Sequence, residues 1–163
     1  MKTDFQELSA DSRVWIYQNS VPLEKKIIRD IQSKLNSFID SWKAHGHPLQ
    51  AMGDILHDRF IVLIVDERQN GVSGCSIDSS VAFIKAIEEE FQLDLFDRLV
   101  FSYLNGQQVE TIAKDQFLKK YQEGIIDDQT LVFDNLVSTK KDFTEAWIKP
   151  LKDSWHKRFV QKV

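Results

Sequence analysis

The stretch Ser73–Ser80, S-G-C-S-I-D-S-S, concentrates the residue types of this chain that could do chemistry. It holds the single cysteine, Cys75, among four serines, and an apolar run at helical spacing follows at Val81, Ile84, Ile87 and Phe91. The start of a helix leaves main-chain N–H groups unpaired and carries partial positive charge, so it attracts anions. Small residues let a ligand come close, and the Ser76, Ser79 and Ser80 hydroxyls would hold a phosphate or carboxylate. The same charge would stabilise a Cys75 thiolate. One functional reading is an anion or small-molecule site at Gly74, Cys75, Ser76, Asp78, Ser79 and Ser80. The alternative is an enzyme or redox-sensing protein with Cys75 as its reactive thiol. The commonest reading of such a segment is structural: Asp78 or Ser76 is an ordinary N-cap and the cysteine a small buried hydrophobe.

A cysteine nucleophile wants a histidine base, itself oriented by a third group. The four histidines are His45, His47, His57 and His156. His57 ends a strand at the edge opposite the Cys75 loop, which counts against a dyad. His45-Gly46-His47 is half a metal site, but no further cysteine or clustered carboxylate joins it. Exposed histidines at a helix end are the better reading. Glu88-Glu89-Glu90 points in successive directions around a helix, as a solvated face does. No metal or cofactor is expected. The chain lacks the G-x-x-x-x-G-K-[ST], G-x-G-x-x-G, H-E-x-x-H and G-x-S-x-G signatures.

These residues need elements to position them. Arg13–Gln18 reads as a strand, from its β-branched and aromatic residues. Asn19-Ser20 offers a helix start, and Leu23, Ile27, Ile31, Leu35, Ile39 and Trp42 make one apolar stripe that ends at His45-Gly46. Leu49–His57 is a weaker strand, and Phe60–Val65 is apolar at every position, as a strand covered on both faces must be. A polar loop and the Ser73–Ser80 segment lead into the second helix. Arg98–Leu104 and Val109–Ile112 flank Asn105-Gly106, a hairpin turn. The order β-α-β-β-α-β is that of a ferredoxin-like sandwich. The expected fold is α+β, an antiparallel sheet with helices: a core over about 13–112 and a C-terminal αβα extension over about 113–163, in one domain. The extension reads as a helix (Asp115–Glu123), a strand (Thr130–Val137) and a last helical region with Phe143, Trp147, Leu151, Trp155 and Phe159 spaced by fours. It is the obvious cover for the second face of Phe60–Val65; homodimerisation is the alternative.

Composition narrows the function classes. At 163 residues and 42% hydrophobic residues the chain builds a core without disulfide or metal. A net charge of −4 argues against nucleic acid as partner. The charge is uneven: residues 139–163 hold seven Lys or Arg against three Asp or Glu. That basic, tryptophan-rich end reads as a solvated face, or as a docking surface for an acidic partner that would leave Trp147, Trp155 and Phe159 partly exposed. No apolar run approaches a membrane span and nothing near Met1 resembles a secretion signal, so a cytoplasmic protein is expected.

S-G-C-S-I-D-S-S, together with R-V-W-I-Y-Q (13–18), L-F-D-R-L (95–99), L-V-F-D-N-L-V (131–137) and P-L-K-D-S-W-H (150–156), resembles a family of small uncharacterised bacterial proteins. Its members often carry the label "ABC transporter ATPase". The resemblance implies no established activity. The label needs a phosphate-cradling lysine loop and a strand-end aspartate for magnesium, and Ser73-Gly74-Cys75 stands without either. ATP hydrolysis of that kind is rejected. The expectation is a binding or interaction module for a small anionic ligand or a protein partner, rather than an enzyme.

Overall fold

The computed structural model describes residues 1–161. Its elements are β1 (Arg13–Gln18), α1 (Lys25–Ser41), β2 (Lys43–Ala44), β3 (His47–Pro48), β4 (Gln50–Leu56), β5 (Phe60–Asp66), α2 (Gly74–Phe91), β6 (Val100–Asn105), β7 (Gln108–Ala113), α3 (Lys114–Gln122), β8 (Leu131–Phe133), α4 (Lys140–Ala146), β9 (Ile148–Pro150) and α5 (Lys157–Val160). The fold is α+β.

β5 is buried at all seven positions and lies between β1 and β4, antiparallel to both. Its side chains alternate between two cores. Ile61, Leu63 and Val65 meet Ile31, Leu35 and Ile39 of α1 and Ile84 and Ile87 of α2. Phe60, Val62 and Ile64 meet Phe133, Val137 and Trp147 from the C-terminal part of the chain. That second face is therefore covered from within the chain. Gly53 of β4 shows how closely α1 sits: a Cβ there would lie 2.9 Å from Ile39 Cδ1.

The first three strands of the expected order lie side by side, as β1-β5-β4. The fourth does not join them. β6 pairs with β7 and β8 in a second sheet of order β7-β6-β8-β9. Phe101 and Tyr103 point to a third core with Phe117 of α3, Leu151 and Val160 of α5. Leu104, Val109 and Ile148 point the other way, into the core shared with the first sheet. The layers run helix, sheet, sheet, helix. A strand that would have left its second face bare in a two-layer sandwich is thereby enclosed.

Both edges of the first sheet are partly covered. Residues 1–3 run along β4, with Thr3 N–H donating to Ala51 O at 2.8 Å. Residues 138–140 run along the start of β1, with Val14 N–H donating to Ser138 O at 2.9 Å and Lys140 N–H to Ser12 O at 2.8 Å.

Several boundaries differ from the sequence reading, each for a local reason. α1 starts at Lys25, because Asn19 and Ser20 instead hold Asp94: Asp94 N–H donates to Asn19 Oδ1, and Ser20 Oγ donates to the Asp94 carboxylate. His45-Gly46 is not a helix cap. With φ of +51° and +78° it turns the short β2–β3 hairpin. The strand at 130–137 stops at Phe133, because the Asp134 carboxylate accepts the Leu136 N–H and folds the chain back. The last helical region is broken: Ile148–Pro150 add to the sheet as an edge strand, where proline is tolerated.

Between the sheets runs a chain of hydrogen bonds. Ser102 Oγ donates to Gln18 Oε1 at 2.8 Å, so at its 2.7 Å contact with Thr111 Oγ1 it must accept. Arg59 Nη1 donates to Thr111 Oγ1, Asn135 Nδ2 donates to Gln18 Oε1, and Trp147 Nε1 donates to Asn135 Oδ1. Gln18 Nε2 donates to Val100 O at 2.7 Å. Gln18 thus joins β1 to β6 at two points and to Asn135, just after β8, at a third. Gln18→Leu strands the Ser102 hydroxyl, an Asn135 N–H and the Val100 carbonyl in a buried layer, and is expected to cost about 3 kcal/mol in urea unfolding. A loss under about 1 kcal/mol contradicts this role for Gln18.

Candidate functional site

The segment flagged by its chemistry opens α2, and Ser73 is its N-cap rather than Ser76 or Asp78. Ser73 and Ser76 form a reciprocal capping box: Ser76 N–H donates to Ser73 Oγ at 3.0 Å, and Ser73 N–H to Ser76 Oγ at 2.7 Å. Ser76 is buried, and its carbonyl accepts Trp42 Nε1–H at 2.9 Å. The hydroxyls expected to hold an anion are turned to the main chain. Ser76 Oγ donates to Ser73 O, Ser79 Oγ to Cys75 O, and Ser80 Oγ to Ile77 O. A side chain at Gly74 would meet nothing within 4 Å, so no close packing there requires glycine. Gly74, Cys75, Asp78 and Ser79 are exposed, and Cys75 is a free thiol.

None of the histidines forms a site with Cys75. His57 lies before β5 and Cys75 beyond the loop that follows it, so a seven-residue strand about 20 Å long runs between the two in the chain. The His57 ring packs on Phe60, Phe133 and Trp147. Burial, then the neighbouring Arg59 cation, lowers its pKa. His45 and His47 are exposed on the hairpin. Among the described residues no group of three His, Cys, Asp or Glu is placed to hold a metal ion. No helix among them is long and apolar enough to cross a membrane.

The structure instead opens a cleft of about 680 Å³ beside β1, where the expected fourth strand would have lain. It is walled by Trp15 and Tyr17, by Phe96–Leu99 ahead of β6, by Asn135-Leu136 after β8, and by Trp155, His156, Arg158 and Phe159. Gln18 and Ser102 of the inter-sheet chain reach its inner end. Phe96, Leu99 and Leu136 are exposed on its rim, Leu99 and Leu136 at 55% each. Trp155 and Phe159 are half-buried, while Trp147 is core at 5% exposure. The expectation of partly exposed aromatics at the basic end therefore holds for two of the three.

Lys85, Arg98 and Arg158 bring three cations to the cleft, and among the described residues none is paired with a carboxylate. Arg158 is held by rings, 5.0 Å above Trp155 and 5.1 Å above Phe159. Lys85 stands 5.9 Å over Phe96. The lone lining carboxylate, Asp97, accepts the Leu99 N–H and shapes its own turn. A chain of net charge −4 thus presents a locally cationic, aromatic recess.

The outer edge of β1 is paired only at its start, and its far end at Gln18 is buried. Asn19 N–H donates to Arg59 O on the β5 side, whereas Ser12 and Val14 bond outward to 138–140. Main-chain groups of successive residues face opposite neighbours, so Ile16 and Gln18 direct their N–H and C=O outward as well. Leu136 is the next residue in line to pair with Ile16, but its N–H goes to Asp134 Oδ1 at 3.1 Å. Among the described residues the outward main-chain groups of Ile16 and Gln18 have no main-chain partner.

His156 lies in the cleft wall yet is buried, and burial pushes its pKa down to about 4. Asp134 raises it and Lys149 lowers it; those two form a 3.0 Å ion pair. Ser154 Oγ donates its proton to Leu151 O, so it accepts from His156 Nδ1–H, which leaves Nε2 the basic nitrogen.

No protein family, curated protein or solved structure matches the chain.

Sequence reasoning missed the cleft because its walls come from five separated segments, and their sequences do not show which of them meet in space. The usable signal was the run of aromatic and basic residues from Trp155 to Phe159.

Two outcomes follow. The unfolded chain takes up a proton at His156 from pH 6.5 downward, whereas the folded chain waits until about pH 4. Stability therefore falls with acid across that window, by about 2 kcal/mol between pH 7.5 and 5, and His156→Gln should remove that share of the slope in urea unfolding. The Asp66 carboxylate, held at about 2 by the Arg68 guanidinium, loses its contribution only below pH 3.8 and does not blur the comparison. Separately, Cys75 should titrate fully with a disulfide reagent in the native protein. A thiol that reacts only in denaturant contradicts its exposed position.

Proposed function

We propose that this protein is a ligand-binding module whose seat is the β1 cleft, and that the ligand is anionic with a flat apolar body. The observation that carries the reading is the union, in one 680 Å³ recess, of half-exposed aromatic rings with three cations that have no carboxylate partner among the described residues. Recesses of this size suit ligands of a few tens of atoms, with apolar walls for affinity and a few polar groups for orientation. An unpaired cation near aromatic faces is solvated in the free protein and gains a partner on binding. The Gly74–Ser80 helix start is the weaker seat, because its hydroxyls are already committed to its own main chain. The resemblance to the family of small bacterial proteins is compatible with this role and adds no activity to it.

The rival reading keeps Cys75 as a reactive thiol and has the exposure of that residue in its favour. A native reaction rate tenfold above that of the urea-unfolded chain would support it; equal rates remove it.

The test of the cleft uses two fluorescent probes with the same ring body. Anilinonaphthalene sulfonate carries the anionic group and phenylnaphthylamine lacks it. Both are expected to bind at one site per chain with an unchanged near-ultraviolet circular dichroism spectrum. The triple variant Lys85→Gln, Arg98→Gln, Arg158→Gln should weaken the sulfonate about tenfold and leave the neutral probe within twofold, the scale of a few partly screened charges. Absence of saturable binding by either probe ends the cleft reading. Equal affinities in protein and variant end the anionic part of it.

A further inference from the structure

We propose that the occupant of the cleft is an extended acidic peptide segment that docks on the outer edge of β1 as an added strand. The inference rests on the cleft being the binding seat and specifies what fills it.

Three observations converge. Ile16 and Gln18 line the cleft, strand alternation turns their N–H and C=O groups outward, and among the described residues those groups have no main-chain partner; two residues of strand separate them by about 6.7 Å. That is the repeat at which an antiparallel strand offers its own paired groups. The same edge is already used in this way one step earlier, where residues 138–140 pair with Ser12 and Val14 and then leave at the Asp134 turn. A docked segment would extend that pairing along the edge. An open strand edge inside a folded protein is a ready template for such addition.

The side-chain surroundings specify the chemistry of the segment. Alternate residues of a docked strand point to opposite faces. Phe96, Leu99 and Leu136 stand exposed on the rim and would receive apolar side chains. Lys85, Arg98 and Arg158 form no ion pair among the described residues, so the complementary partner carries Asp or Glu. Two of the cations lie against aromatic rings, which hold their side chains close to the recess. A small organic anion would use the rings and cations and leave the main-chain edge unused. An extended acidic peptide uses all three.

The test selects ligands from a phage-displayed library of random nonapeptides on the intact protein. The enriched peptides are then synthesised. They are expected to carry acidic residues among alternating apolar ones and to displace anilinonaphthalene sulfonate. N-methylation of every second amide in the docked stretch should weaken them at least tenfold, and methylation of the intervening amides should not. Amide hydrogen exchange at Ile16 and Gln18 should slow on binding. Arg98→Glu with Arg158→Glu should invert the charge preference of the selection.

Other outcomes sink the proposal in distinct ways. If the sulfonate probe binds and no peptide displaces it, the cleft stands as a small-anion site and the added strand falls. If peptides bind without sensitivity to the methylation pattern, side chains alone are read and the edge is not used. If the chain self-associates and the dimer excludes the probe, a second copy is the occupant.

Discussion

A strand with no polar face is the constraint on which the rest of this structure depends. Every position of β5 is buried, and its residues alternate between two cores that never meet. One sheet with helices on one side can supply only the first. The second core needs another layer, and the C-terminal residues Phe133, Val137 and Trp147 provide it. The departure of β6 into a second sheet is what brings that layer over β5. A strand bonded to β1 would have extended the first sheet sideways and left Phe60, Val62 and Ile64 facing water, at about 2 kcal/mol or so per large side chain.

The same departure leaves β1 half-bare, and the cleft is the space it leaves. The inter-sheet hydrogen bonds define its inner end. Gln18 sits where a core residue would be expected from the parity of Val14 and Ile16, yet its amide joins Val100, Ser102 and Asn135. Because Ser102 can donate only one proton, the direction of the whole series from Arg59 through Thr111 to Gln18 follows from that single bond. Such a series orders donors and acceptors along one line and strengthens each by polarising the next. It also ties β1 to β6 beside the recess.

Much of the scaffold could be read from the residues. The β-branched and aromatic residues of 13–18, the apolar run at 60–65, the stripe from Leu23 to Trp42 and the Asn105-Gly106 turn each encode a local shape, and those shapes are present. Where the chain went beyond local encoding, reading stopped. Nothing in Val100–Asn105 distinguishes a strand that pairs with β1 from one that pairs with β8, because both need the same alternation. The spacing by fours from Phe143 to Phe159 looked helical, yet Phe143 and Phe159 sit on two separate helices with an edge strand and short turns between them, and the five residues serve two cores. The Ser73–Ser80 segment was legible as a helix start and not as a site, since whether a serine hydroxyl meets a ligand or its own backbone depends on rotamers that sequence does not display. The cleft was illegible, being made of edges that several distant segments happen to share.

The double burial of β5 bears on how the protein is made. Residues emerge from the ribosome in order, and Trp147, which closes the second core, follows Phe60 by more than eighty positions. At ordinary synthesis speeds of about 5–20 residues per second, Phe60, Val62 and Ile64 spend several seconds without their cover. During that interval the nascent chain carries a sticky sheet face, and the first part of the molecule cannot mature ahead of the last.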